Sequence, residues 1–100
     1  MNVFISQPMR VKAESEIVGE RKAIVEKIAK IIKTDYLIMN SYFEDYAPDK
    51  GCVPLKYLAK SLEMLADADV AFFAKGWENA KGCRIEHDCA KAYGIMIIEE

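Results

Sequence analysis

Short apolar runs of strand type alternate along this chain with longer stretches of helical period, and that alternation restricts the fold more than any other feature. Strands separated by helices cannot pair as hairpins, so they come together as a parallel sheet with the crossover helices covering its faces. The runs are Asn2 to Ile5, Tyr36-Leu37-Ile38-Met39, Val70-Ala71-Phe72-Phe73-Ala74 and Ile95-Met96-Ile97-Ile98. Between the first two, Ile17, Ile24, Ile28, Ile31 and Ile32 recur at helical spacing from about residue 14 to 33. Gly19 falls inside that stretch and predicts irregular first turns. Pro54 suits the first turn of a second helix, and Leu55, Leu58, Leu62 and Leu65 give it an apolar stripe. A third helix is predicted from about Cys83 to Tyr93, with Gly94 at the left-handed cap position.

The predicted order is therefore βαβαβαβ in an α/β class. Crossovers in such a chain are right-handed, and the first strand is expected between the second and third, giving a small doubly wound parallel sheet of flavodoxin/Rossmann type with strand order 2-1-3-4. One hundred residues hold one domain, residues 1 to 100, with no repeat or linker.

Composition narrows the function. Lys and Arg number 14 against 16 Asp and Glu, a net charge of -2 without the basic excess that nucleic-acid binding requires. No run approaches the roughly 20 apolar residues of a membrane span. Val3-Phe4-Ile5 is too short for a signal-peptide core. A cytoplasmic protein is expected, with Cys52, Cys83 and Cys89 reduced, Cys89 buried and His87 on the surface. Cys83, His87 and Cys89 cannot share one helical face, so no metal is expected. Gly76 and Gly82 form no phosphate-binding motif, and no cofactor is expected.

Doubly wound sheets bind ligands beyond the carboxyl ends of their strands, where the strand order reverses. Here that point lies between the loops after strands one and three, which hold Ser6-Gln7-Pro8-Met9-Arg10 and residues 75 to 82. Glu86 falls in the first turns of the third helix, whose dipole favours an ionised carboxylate by about 0.3 to 1 kcal/mol. Such a carboxylate can attack an anomeric carbon and form a covalent glycosyl intermediate. Alternatively, Glu86 does no more than favour the helix start, and Arg10 is a solvated surface charge. The loop Tyr42-Phe43-Glu44-Asp45-Tyr46 either stacks a base on its aromatics and reads its edge through Glu44 or Asp45, or covers the core or a dimer seam. Trp77 is open to the same two readings.

The stretch Ser61-Leu62-Glu63-Met64-Leu65-Ala66-Asp67-Ala68-Asp69-Val70-Ala71-Phe72-Phe73, followed by Gly82 and Glu86, resembles the nucleoside 2-deoxyribosyltransferase superfamily. That superfamily includes the deoxynucleoside monophosphate N-glycosidases and small phage and bacterial members. Phe4-Ile5-Ser6-Gln7-Pro8-Met9-Arg10 resembles the small members too, so the likeness spans nearly the whole chain. It implies that Glu86 is the nucleophile that takes a 2-deoxyribosyl group from a nucleobase. It further implies that Ser6, Gln7, Pro8, Met9 and Arg10 approach the sugar and any phosphate, with Arg10 as a charged donor. Gly82 and Cys83 fall in the matching segment and are expected to border the substrate. Ser61 stands where many active members have aspartate, and Ala80 where they have a polar contact. A hydroxyl carries no charge, so Ser61 would orient Glu86 or assist the leaving base differently. The implied partners are a small nucleoside or nucleotide and, because relatives complete the site from a neighbouring subunit, a second copy of the chain. Three functions stay open: an N-glycosidase or deoxyribosyltransferase, a nucleotide-binding or sequestering module without chemistry, and an interaction domain with a vestigial crevice.

Overall fold

A computed structural model of the chain describes residues 1–10, 12–43 and 46–100. Its elements run β1 (Asn2–Ser6), α1 (Glu14–Ile31), β2 (Leu37–Ile38), α2 (Val53–Leu65), β3 (Val70–Phe73), α3 (Lys81–Ala92) and β4 (Met96–Glu99). A 3-10 turn at Trp77–Asn79 precedes α3. The four strands are all parallel in the order β2-β1-β3-β4, as the alternating pattern predicts. Registers are plain: Val3 lies opposite Val70, Ser6 opposite Phe73, and Phe73 opposite Glu99.

Alternation along β1 and β3 decides which helix covers which face. Val3, Ile5, Val70 and Phe72 point to one side and bury against Ile24 and Ile28 of α1. Phe4, Ala71 and Phe73 point to the other and bury against Leu65 of α2 and Ala90 of α3. Both central strands are thus apolar on both faces, which is why they read as unbroken hydrophobic runs. Each fully buried Phe, Ile or Val contributes about 1.5 to 3 kcal/mol.

Several boundaries differ from the sequence reading. β2 is two residues rather than four, because it has a single neighbour, β1, and Leu37 is 71% exposed. Gly19 does not disturb α1, which is continuous through it. α3 starts two residues earlier than expected, at Lys81. Its end matches the expectation at Gly94, where φ is 74°. The Ile95 N–H donates to Ala90 and the Gly94 N–H to Lys91, the paired bonds of a glycine-terminated helix. Among the described residues no helix is long and apolar enough to cross a membrane.

Candidate functional site

The carboxyl ends of β1 and β3 lie side by side at the point where the winding reverses, and the side chains that meet there come from three elements. Ser6 is the last residue of β1 and points to the same face as Phe4, toward α2 and α3. Cys83, Glu86 and Ala90 follow helical spacing and form the buried stripe of α3. Ser61 lies on α2, between Leu58 and Leu65.

These positions bring Ser6 and Glu86 together across 80 residues of sequence. The Ser6 hydroxyl donates to Glu86 Oε1 at 2.7 Å, and Glu86 is only 7% exposed. Burial raises the Glu86 pKa from 4.5 to about 7, against the smaller downward pull of hydrogen bonding by Ser6 and then Ser61. This corrects the expectation of a carboxylate held ionised by the helix dipole. Desolvation of a nearly covered carboxyl outweighs a dipole worth under about 1 kcal/mol. Ser61 and Glu86, paired from the sequence, do meet in the fold.

Cys83, also buried, shares the same corner. Burial pushes its thiol up to about 11, Ser6 and Lys12 lowering it and Glu86 raising it further, so the thiol is protonated and unreactive at neutral pH. Cys89, expected to be the buried cysteine, is only partly buried.

The loop after β1 meets the loop after β3 directly. Gly76 has φ of 90°, a left-handed conformation that favours glycine, and a Cβ there would stand 3.8 Å from Pro8 Cγ. Gln7 turns inward and its amide donates to the Ile17 carbonyl at 2.8 Å, tying the loop to α1 and leaving its own Oε1 buried without a partner. Met9 is half-buried, its carbonyl accepting the Lys12 N–H, and Arg10 is exposed. Gly82 borders α2: a Cβ there would lie 4.0 Å from Leu58 Cδ1, an ordinary contact.

The aromatic candidates have partners within the chain. Trp77 stacks on His87 with centroids 4.0 Å apart and planes 9° from parallel, and both rings contact Phe73. His87 Nε2 also lies 2.7 Å from Glu99 Oε2, so the histidine expected at the surface is half-buried in a contact joining α3 to β4. Phe43 lies edge-on to Tyr46 and beneath the Lys60 ammonium, beside α2 rather than against Glu86. Glu44 and Asp45 lie outside the described residues.

Two open grooves lie apart from the carboxylate. The larger, about 550 Å³, runs along α2 between Tyr46, Lys56, Lys60, Glu63 and Asp67. The smaller, about 300 Å³, is bordered by Val18, Arg21, Lys22, Val25, Asn40 and Tyr42. Arg21 went unnoticed in the sequence because nothing sets it apart from the other charges of α1. Its Nη2 donates to the Met39 carbonyl and the Ser41 hydroxyl, and Ser41 donates to the Ile5 carbonyl. Burial lowers its pKa, and Nη1 is buried without a partner.

The fold and this corner define a small doubly wound parallel α/β domain with a buried carboxylic acid at the reversal of its strand order. The chain belongs to the family described as Domain of unknown function (DUF4406), whose model matches residues 1–99. No curated protein and no solved structure matches it.

Proposed function

We propose that the chain is a nucleoside or nucleotide N-glycosidase or 2-deoxyribosyltransferase in which Glu86 attacks the anomeric carbon. The glycosyl–base bond breaks as the Glu86 ester forms, and water or a second base then releases the sugar. What carries this reading is the Ser6–Glu86 hydrogen bond at the carboxyl ends of β1 and β3, where open α/β sheets bind their ligands. The Ser6 donor helps hold the carboxylate in one orientation, and Ser61 adds to it from α2. The reading brings with it a cytoplasmic setting, a small nucleoside or nucleotide as partner, and a second copy of the chain. An exposed α2 flank, with Leu55 59% accessible, is consistent with a subunit contact.

Incubation with deoxynucleosides and their 5'-monophosphates, followed by chromatography of free base, tests the proposal. Release is expected from the native chain and not from Glu86→Gln. Undiminished release by that variant rejects Glu86 as nucleophile.

A nucleotide-binding module without chemistry is the second reading, favoured by the covering of Glu86 and by its half-protonated state near neutral pH. Thermal stabilisation by nucleotides with no base released selects it.

A further inference from the structure

We infer that the Glu86 site is suited to N-glycosides whose base already carries a positive charge, because among the described residues the groups gathered round the carboxyl supply neither an acid for the leaving base nor a cation for the nucleophile. The inference rests on the N-glycosidase reading above and names its substrate class.

The groups facing Glu86 come from three elements: the Ser6 hydroxyl from β1, the Ser61 hydroxyl from α2 and the Cys83 thiol from α3. Hydroxyls and an unactivated thiol are poor proton donors to a departing nitrogen. His87, the next residue along α3, is committed elsewhere, stacked on Trp77 and bonded to Glu99. Lys12 bears on Cys83, whereas the influences on Glu86 are burial and the two hydroxyls, with no lysine, arginine or second carboxyl among the described residues contributing. A buried carboxylate without a cation is costly, and a positively charged substrate offsets that cost as it binds. Binding then draws the remaining proton from Glu86 and completes the ionisation of the nucleophile.

The chemistry balances without an acid. As the Glu86 oxygen bonds to the anomeric carbon, the carbon–nitrogen bond breaks and its electron pair neutralises the ring nitrogen, so the base leaves neutral. Water then attacks the same carbon, the ester bond to Glu86 breaks, and the surplus proton passes to solvent. Each turnover releases one proton. A neutral nucleoside gives up its base as an anion that must take up that proton, so its hydrolysis releases none.

The test compares 7-methyl-2'-deoxyguanosine with 2'-deoxyguanosine, two substrates of nearly the same shape and different charge. Nicotinamide riboside serves as a second cationic probe. At about pH 6, where the methylated nucleoside keeps its positive charge, and after subtraction of spontaneous hydrolysis, its kcat/KM is expected to exceed that of the neutral one by about 100-fold or more, the usual worth of a general acid, with one proton released per base. A ratio below about 10 overturns the inference and leaves the N-glycosidase reading standing. No base from any of the three overturns that reading and the inference with it. Ser61→Asp places a carboxylic acid beside Glu86 and is expected to narrow the ratio at least about tenfold by speeding the neutral substrate. A folded variant with an unchanged ratio rejects the missing acid as the cause.

Discussion

The corner around Glu86 and the groove along α2 are opposites. The groove is an open space of about 550 Å³ lined by charges of both signs, among them the exposed Lys56, Glu63 and Asp67 and the half-buried Lys60. The corner instead holds a carboxyl that is only 7% exposed and whose pKa burial has moved to about 7. In the groove, water screens the exposed charges, which can be changed at little cost. In the corner the same residue type is held against its solvation preference, and groups perturbed in this way cluster at functional sites. Substitutions that treat the two regions alike separate these descriptions.

Glu86→Gln should have the largest effect. It keeps the shape and the acceptor for Ser6 but cannot attack, so base release should fall by at least about 1000-fold, equivalent to about 4 kcal/mol of barrier. Quantified free base per enzyme checks this, and a fall of less than tenfold would erase the distinction between corner and groove.

The same variant should change stability in the opposite direction. Glu86 titrates near 4.5 in the unfolded chain and near 7 in the folded one, so the fold favours the protonated acid. The resulting stability is complete below about pH 4.5 and lost as pH rises through about 7, on the order of 3 kcal/mol in all. Glutamine does not titrate. Glu86→Gln should therefore melt higher than the native chain at pH 8 and much closer to it at pH 4, as thermal unfolding at the two pH values will show. Catalysis runs the other way, since attack needs the ionised form and should rise with pH through about 7.

Ser6→Ala should have an intermediate effect. Loss of the 2.7 Å donor removes the larger of the two hydrogen-bond contributions that favour the charged form, so the Glu86 pKa should climb above about 7. The ascending limb of the pH–rate profile should move to higher pH, and stability near pH 5 should drop by about 1 kcal/mol. A limb that stays in place would mean that the bond does not govern ionisation.

How much of this was legible in the chain follows from what local patterns encode. Val3-Phe4-Ile5 and Val70 to Phe73 are apolar at every position, and such runs fit strands covered on both faces, so a parallel sheet was legible, its order resting on the doubly wound class rather than on any single residue. Leu55, Leu58, Leu62 and Leu65 mark a helix equally well, but a stripe cannot say where its partner ends. Leu65 is buried and Leu55 is exposed, because the sheet and α3 cover only the C-terminal part of α2. The place of Glu86 on α3 and at the crevice with Ser6 was readable from the strand order, whereas its nearness to Ser61 came only through the family resemblance. Its burial was not, since that depends on a strand 80 residues away, and the dipole argument consequently gave the wrong direction for its ionisation. His87 escaped in the same way: its stack on Trp77 crosses from α3 to the preceding 3-10 turn, and its carboxylate partner is on β4.

The smallest effect belongs to the groove. Lys60 Nζ stands 4.4 Å from the Tyr46 ring centroid and 5.0 Å from that of Phe43, which makes it the best-engaged cation on that surface. Such contacts are worth about 0.5 to 1 kcal/mol when exposed. Lys60→Met keeps the aliphatic stem against the rings and deletes the charge, so it should cost no more than that in chemical denaturation. Turnover should stay within about twofold of native, because bulk water screens a surface charge lying outside the set of groups that bear on Glu86. A loss approaching that of Ser6→Ala would mean that Phe43 and Tyr46 must be held by Lys60 for substrate to bind. The groove and the corner would then be two walls of one site, and the contrast between them would have to be redrawn.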